Sequence, residues 1–262
     1  MKKFKEELKN LYRNLAGNCH DDESIVPFVF QAGKDYPKAK NCGIMFYGRA
    51  TNGWFGSWNI DEIFDESNPD RSWNRDDALI WVDRAAGDEE SYNSNRSQFW
   101  QLVSGITRRY YGIDNWSDYA LWSNVCKAAP KQQGNPSDSL YDLTLETNCH
   151  IMKAEIDFFS PKYVVLFTGG GNWMKNGCAS KGGDWSSDFL KFLNKERDLN
   201  STFVEEKIWD EKYPERKAKV YKIGDVYYIV TLHPQGKKIQ LHIDGILSLM
   251  ELLSLIGKNR CN

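Results

Sequence analysis

The first group of residues able to do chemistry lies in the segment 48–55, which reads GRATNGWF after a short apolar run. A guanidinium such as that of Arg49 binds phosphate and other anions. The amide of Asn52 offers both a hydrogen-bond donor and an acceptor. The rings of Trp54 and Phe55 can stack on a flat ligand. This combination predicts a ligand-recognition loop that begins at Gly48.

A histidine and a second asparagine follow two other apolar runs. His233 precedes Pro234, which restricts the backbone, and its ring can donate a hydrogen bond to a developing anion. Asn124 follows the run 119–123, and its amide can read the edge of a planar base. The alternatives are a packing role for the histidine and an Asx turn or helix cap for the asparagine.

Several cations lie in these same loops. Lys127 and Lys237 join Arg49 there, together with Lys131 and Lys238. They predict a local basic rim suited to phosphate groups. The net charge of −2 at pH 7 and the pI of about 6.1 give the chain no general attraction for nucleic acid.

Other chemistries have less support. The G-x-S-x-G motif of serine hydrolases is absent, and the glycines at 169–171 lack the spacing of a phosphate-binding loop. The six cysteines show no C-x-x-C pattern, so we expect no zinc, iron–sulfur cluster or other cofactor. Cys126 is an alternative nucleophile because it lies in the loop of Asn124.

Alternating elements must position these loops. Apolar runs of strand type occur at 43–47, 119–123, 163–167 and 226–231, and helical spacing occurs at 3–16, 97–111, 139–159 and 245–256. This alternation predicts an α/β fold with a parallel sheet and helices on both faces. The loops 48–54, 124–130, 168–173 and 233–238 should then gather at one sheet edge, where such folds bind ligands.

The remaining segments complete a single predicted domain over 1–262. Residues 56–98 and 172–219 show no clear period, and we interpret them as irregular insertions with short helices near 76–84 and 187–193. The chain opens on charged residues and contains no run of 18 apolar residues. We therefore expect a cytoplasmic protein without a signal peptide or membrane span, and favour a monomer.

Four segments resemble, in order, the uracil-DNA glycosylase superfamily. They are the strand and glycine loop at 43–53, the LWSNVCKAAP segment at 121–130, the helix–proline–strand–glycine segment at 155–169, and the IVTLHPQ segment at 229–235. The resemblance extends over about residues 40–255. It implies a three-layer α/β/α sandwich with a central four-stranded parallel sheet, and hydrolysis of the N-glycosidic bond of a flipped-out base in DNA.

The resemblance also implies roles for individual residues. His233 would stabilise the departing base anion, Asn124 would read the base edge, and Trp54 or Phe55 would stack on the base. Many members of the superfamily have an acidic residue in the first loop that orients the attacking water, whereas this chain has Arg49 there. Asn52 would then position the water.

The loop residues Gly48, Arg49, Lys127 and Lys237 would contact the substrate. A His-Pro-Gln sequence replaces the His-Pro-Ser of the superfamily. Two alternatives stay open. The chain is either a catalytically silent relative that binds nucleic acid, a nucleobase or a nucleotide, or a different small-molecule hydrolase on the same scaffold.

Overall fold

The structure is a computed structural model. It describes residues 1–19, 24–54, 56–65, 67, 79–88, 92–132, 134–169, 185–196 and 202–259. The predicted stacking residue Phe55 and the loop segment 170–173 lie outside the described residues.

The described residues form seven α-helices and nine strands. The helices are α1 (Lys2–Cys19), α2 (Ile60–Ile63), α3 (Ile80–Arg84), α4 (Gln98–Tyr111), α5 (Asp138–Phe159), α6 (Trp185–Glu196) and α7 (Ile239–Asn259). The strands are β1 (Ile25–Pro27), β2 (Gln31–Ala32), β3 (Ile44–Gly48), β4 (Leu121–Asn124), β5 (Ala128–Pro130), β6 (Tyr163–Gly169), β7 (Thr202–Ile208), β8 (Lys217–Ile223) and β9 (Val226–Leu232). Short 3₁₀ turns occur at Ser94–Arg96 and Trp116–Asp118.

A seven-stranded sheet forms the centre of the fold, in the order β2-β4-β3-β6-β9-β8-β7. The four strands that the sequence predicted are the four central ones, and each pairs with its neighbour in parallel. The outer strands β2, β8 and β7 pair antiparallel. The α/β class is therefore confirmed, but the sheet is mixed and larger than the predicted four strands. A separate two-stranded sheet joins β1 and β5.

The prediction of an irregular insertion at 172–219 is wrong for its second half, because β7 and the first three residues of β8 lie there. In β8, Ala218 and Val220 are buried while Lys217 and Lys219 are partly exposed. A strand that is buried on one face alternates apolar and polar residues, and it lacks the continuous apolar run of the central strands. Strand β7 is the edge of the sheet, and its pairing with β8 contains a bulge between Phe203 and Glu205.

Successive residues of the central strands point to two different cores. Met45 and Tyr47 face the core that contains α1, α5 and α6. Ile44 and Phe46 face the core that contains α4 and α7. The sheet therefore lies between two layers of helices.

Helix α7 contains the stretch Ile239–Ile256, which is long and apolar enough to cross a membrane by length and composition, with a mean hydropathy of 1.5. In this structure Ile246, Met250 and Leu253 are buried in the core beneath the sheet. This packing accounts for the 44% of the stretch that is buried, whereas Leu252 and Leu255 are exposed.

The close approach of α7 to Trp209 generates a stability prediction. A Cβ at Gly245 would lie 2.4 Å from the Cβ of Trp209, whereas a Cβ at the exposed helical Gly17 would meet no atom within 4 Å. Both substitutions to alanine raise helix propensity by about 0.5–1 kcal/mol. Overpacking costs about 1–3 kcal/mol, so we expect Gly245→Ala to lower the free energy of unfolding and Gly17→Ala to raise it. Urea denaturation measures both, and a more stable Gly245→Ala variant would contradict this packing.

Candidate functional site

The carboxyl ends of the four parallel strands lie along one edge of the sheet. Gly48 of β3 is opposite Asn124 of β4, and Gly169 of β6 is opposite Leu232 of β9. Beyond the strands, the N–H of His233 donates to the carbonyl of Gly169 at 3.1 Å. The predicted gathering of the four loops is therefore confirmed for their described parts.

Arg49 is buried inside this edge, with only 5% of its surface exposed. Its Nη2 donates to the carbonyl oxygens of Thr168 (3.3 Å) and Gly169 (3.1 Å), which end β6. The guanidinium carbon lies 5.9 Å from the centre of the Trp185 ring. Arg49 is thus a fixed positive charge that links the ends of β3 and β6, and not a solvated surface arginine.

His233 lies on the other side of β6. Burial, followed by the charges of Arg49 and Lys237, lowers the pKa of its imidazole to about 4. The ring is therefore neutral near pH 7. Its Nδ1 accepts a long hydrogen bond, 3.4 Å, from the N–H of Gln235. A neutral ring that accepts at Nδ1 carries its proton on Nε2, where it can be donated to a ligand.

Lys237 supplies a second cation next to His233. Its Nζ donates to the carbonyl of Gln235 at 3.0 Å. Burial, followed by the charges of Arg216 and Arg49, lowers the pKa of this ammonium to about 8. The charges of Arg49 and Lys237 create a positive potential around the neutral His233, which favours an anionic group of a ligand at this point.

Asn124 is buried at the other end of the edge, with 1% of its surface exposed. Its Oδ1 accepts from Nε1 of Trp122 at 3.3 Å. Its Nδ2 has no hydrogen-bond partner among the residues that the structure describes. A Cβ at Gly48 would lie 2.5 Å from Oδ1 of Asn124 and 3.4 Å from Cε2 of Phe99. The glycine is therefore required for Asn124 and the Phe99 ring to lie over the end of β3.

Phe99 also lies at this edge, although the sequence did not predict it as a residue of the site. Phe99 begins an apolar helical face, and nothing in that pattern distinguishes it from a core residue. The neighbouring Gln98 and the ring of Trp185 beside Arg49 were missed for the same reason, since their contacts join segments far apart in the chain.

Asn52 and Trp54 contact the segment that follows β5. Oδ1 of the exposed Asn52 accepts from the N–H of Gly134 at 2.9 Å, and the N–H of Trp54 donates to the carbonyl of Lys131 at 3.3 Å. The amide oxygen of Asn52 is thus used to hold a neighbouring loop.

The Trp54 ring packs edge-on against Phe28 and Trp122, at centroid distances of 5.3 and 5.7 Å. The tilted ring of Trp81 lies 6.3 Å away. Trp54 therefore belongs to a half-buried aromatic cluster, which also contacts Asn124 through the indole of Trp122.

The predicted substrate contact by Lys127 is wrong. Its side chain is fully buried, and its Nζ lies 2.7 Å from both carboxylate oxygens of Glu155 on α5. It also donates to Oγ of Ser123 and lies 5.3 Å from the centre of the Tyr47 ring. Lys127 thus points into the core on the α5 side of the sheet, opposite to the side that α7 covers. Burial lowers its pKa, and the charge of Glu155 opposes that shift.

The exposure of the other predicted cations and the burial of Cys126 decide which of them can take part in the site. Lys131 and Lys238 are exposed, so only Arg49 and Lys237 of the predicted basic rim act on His233. Cys126 is buried, and burial raises the pKa of its thiol well above the usual value. A buried, protonated thiol is a poor nucleophile.

A groove of about 410 Å³ adjoins this edge between α6 and the strands β8 and β9. Gly169 and Leu232 line its inner end, and Lys217 and Lys219 lie on its floor. Both lysines are close to the carboxylate of Glu206, at 3.0 and 3.9 Å, so this carboxylate offsets one of their two charges. Among the described residues no group of three or more histidine, cysteine, aspartate or glutamate side chains is arranged to hold a metal ion.

Neither a scan against models of protein families nor a search of curated proteins found a match for this chain. The function is therefore argued from the geometry of the site.

The buried pair of Lys127 and Glu155 gives a stability prediction. Removing one partner of a buried pair leaves an uncompensated charge and costs about 3–5 kcal/mol. We expect Lys127→Met to lower the free energy of unfolding by that amount, and Lys127→Met combined with Glu155→Leu to lose less than the sum of the two single variants.

Chemical denaturation provides the measurement. The exposed pair of Lys153 and Asp157 on the same helix, with Nζ and Oδ2 2.8 Å apart, is the control. Lys153→Met should change stability by at most about 0.5 kcal/mol. Strictly additive effects at 127 and 155 would show that the two charges do not interact.

The charges around His233 predict its titration. By NMR, the imidazole of His233, assigned by its loss in His233→Gln, should stay neutral down to about pH 5 because its pKa is about 4. Lys237→Met removes a positive charge and should raise this pKa, while burial keeps it below about 6.5. Lys238→Met, which removes the exposed neighbouring lysine, should leave it unchanged. A wild-type pKa near 6.5 would show that the ring is solvated.

Proposed function

We propose that this protein is a base glycosylase-like protein that binds a flipped-out uracil or other damaged base of a nucleic acid and hydrolyses its N-glycosidic bond. One observation carries the proposal. A neutral histidine, His233, lies within reach of the charges of Arg49 and Lys237, at the same sheet edge where Asn124 holds a buried amide donor without a partner among the described residues. The order of the loops, similar to that of uracil-DNA glycosylases, supports the same function.

The electrostatics suit the departure of a base as an anion. When the bond between the sugar carbon and the base nitrogen breaks, the electron pair stays with the base. Nε2–H of His233 would donate to the resulting anion, and the charges of Arg49 and Lys237 would lower its energy. Water adds to the sugar carbon and gives up a proton, and the base is protonated afterwards.

The amide of Asn124 suits recognition of the base edge. Its Nδ2 would donate to a carbonyl oxygen of a base such as uracil, and its Oδ1 would accept from the adjacent ring N–H. The missing side chain of Gly48 leaves room for this amide, because a Cβ there would lie 2.5 Å from Oδ1. The ring of Phe99 lies over Gly48 beside this amide.

A second candidate function is binding without catalysis. The loop 48–54 contains no carboxylate that could take a proton from water. The oxygen of Asn52, the predicted substitute, accepts a hydrogen bond from Gly134. These two observations favour a silent relative that binds a nucleic acid, nucleobase or nucleotide at the same edge.

One assay distinguishes these two functions. Oligonucleotides that carry uracil or hypoxanthine, single- or double-stranded, are incubated with the protein, and abasic sites are then cleaved with alkali. We expect strand breaks at the modified base. His233→Gln should reduce their rate by about 10²–10³-fold, the cost of losing one donor to a developing anion. Asn124→Ala should reduce it about 10-fold or more.

The control is His150→Gln on α5, whose ring packs against Phe192, and this variant should cleave at the wild-type rate. Binding of the same oligonucleotides without breaks at stoichiometric protein would favour the silent relative. The absence of both binding and breaks would overturn both candidate functions.

A further inference from the structure

The side chain of Gln98, the first residue of α4, bridges to the loop after β9. Its Oε1 accepts from the N–H of Gly236 at 2.5 Å, and its Nε2 donates to the carbonyl of Lys237 at 3.2 Å. One amide therefore satisfies two backbone groups in a loop that has no strand partner.

The bridged segment is a tight turn directly after His233. The N–H of Lys237 donates to the carbonyl of Pro234 at 3.1 Å, and Gly236 has a φ of +73°. A positive φ at the third residue of such a turn is the geometry of type II, which glycine adopts without strain. Within this turn, the N–H of Gln235 contacts Nδ1 of His233, and its carbonyl accepts from Nζ of Lys237. The turn therefore sets the positions of both side chains.

The same helical turn of α4 reaches the other half of the site. Phe99 follows Gln98, and its ring lies over Gly48 beside Asn124. Oγ of Ser97 accepts from the N–H of Trp100 at 3.5 Å, which begins the helix, and Trp100 is buried in the core. Gln98 is therefore attached to a rigid element, as a precise contact requires.

We propose that Gln98 is a positioning residue, which holds the turn 234–237 so that His233 and Lys237 face the ligand at a fixed place relative to Asn124. The catalytic meaning of this role rests on the proposed function, whereas the positioning itself does not.

The contact with Gln98 should keep the turn 234–237 away from solvent, and this affects the pKa of His233. Burial is the largest cause of the lowered pKa of both His233 and Lys237. The charges that act on His233 among the described residues are those of Arg49 and Lys237. His233 in turn contributes to the lowered pKa of His242, which faces it from α7. If the Gln98 amide is removed, the turn can move towards solvent, and the pKa of His233 should rise towards its ordinary value of about 6.5.

The test uses three variants of the whole protein. Gln98→Met keeps the length of the side chain but removes both hydrogen bonds. Gln98→Glu keeps the acceptor for Gly236, loses the donor to Lys237 and adds a negative charge, so only the exchange of Gly236 is read in this variant. Gln101→Met is the matched control, because Gln101 lies on the same helix and donates to the carbonyl of Asn95, away from the turn.

Two readouts report the position of the turn without any enzymatic activity. In Gln98→Met, the amide hydrogen of Gly236 should exchange about tenfold faster, and the pKa of His233, measured by NMR, should rise by about one unit or more. Gln98→Glu should restore the protection of Gly236. Gln101→Met should match the wild type in both readouts. Equal exchange and equal titration in Gln98→Met and wild type would overturn the inference.

Excision kinetics separate this inference from the proposed function. If the wild type excises a base, Gln98→Met should lower kcat about tenfold or more with a smaller change in KM, because the donor is misplaced rather than the base site lost. If the wild type excises nothing but the His233 titration shifts in Gln98→Met, the proposed function fails and the positioning role stands. If excision occurs and neither readout shifts, the positioning role alone fails.

Discussion

The candidate site depends on two hydrogen bonds, which the Arg49 guanidinium donates to the carbonyl oxygens of Thr168 and Gly169. Parallel strands end together, so their last carbonyls need partners beyond the ladder. Arg49 supplies such a partner for β6 from the end of β3. Its charge also contributes to the lowered pKa of His233 across β6. The Arg49 side chain thus both satisfies the last carbonyls of β6 and contributes positive charge at this edge of the sheet.

The sequence predicted those strands that are buried along their whole length and those helix ends that a nearby residue such as glycine marks. The run at 163–167 became β6, all seven residues of which are buried, and Gly112 ends α4 with a φ of +68°. Strand β8 was missed because only one of its faces is buried, so apolar and polar residues alternate along it. Strand β7 was missed because none of its residues is buried, so it has no apolar run. The start of α7 at Ile239 rather than near 245 was missed because its first turn is not continuously apolar.

The sequence predicted which edge of the sheet holds the candidate site, but it did not predict which side chains point into that site. Parallel pairing brings Asn124, His233 and Arg49 to one edge, and that follows from the strand order alone. The direction of each side chain depends on distant partners. Lys127 is turned inward by Glu155, 28 residues away, and Gln98 meets Gly236 across 138 residues. No local pattern encodes either contact, because both arise only when α4 and α5 pack against the sheet.

The edge strand β7 has a consequence for association. An uncovered edge offers backbone groups to any other extended chain, and such edges seed aggregation. Here Glu205, Glu206 and Lys207 follow one another along that edge, next to a bulge that interrupts the regular ladder. A second copy pairing there would bring like carboxylates together and meet a distorted backbone. The charges and the bulge of β7 therefore disfavour the addition of a further strand from another molecule at this edge.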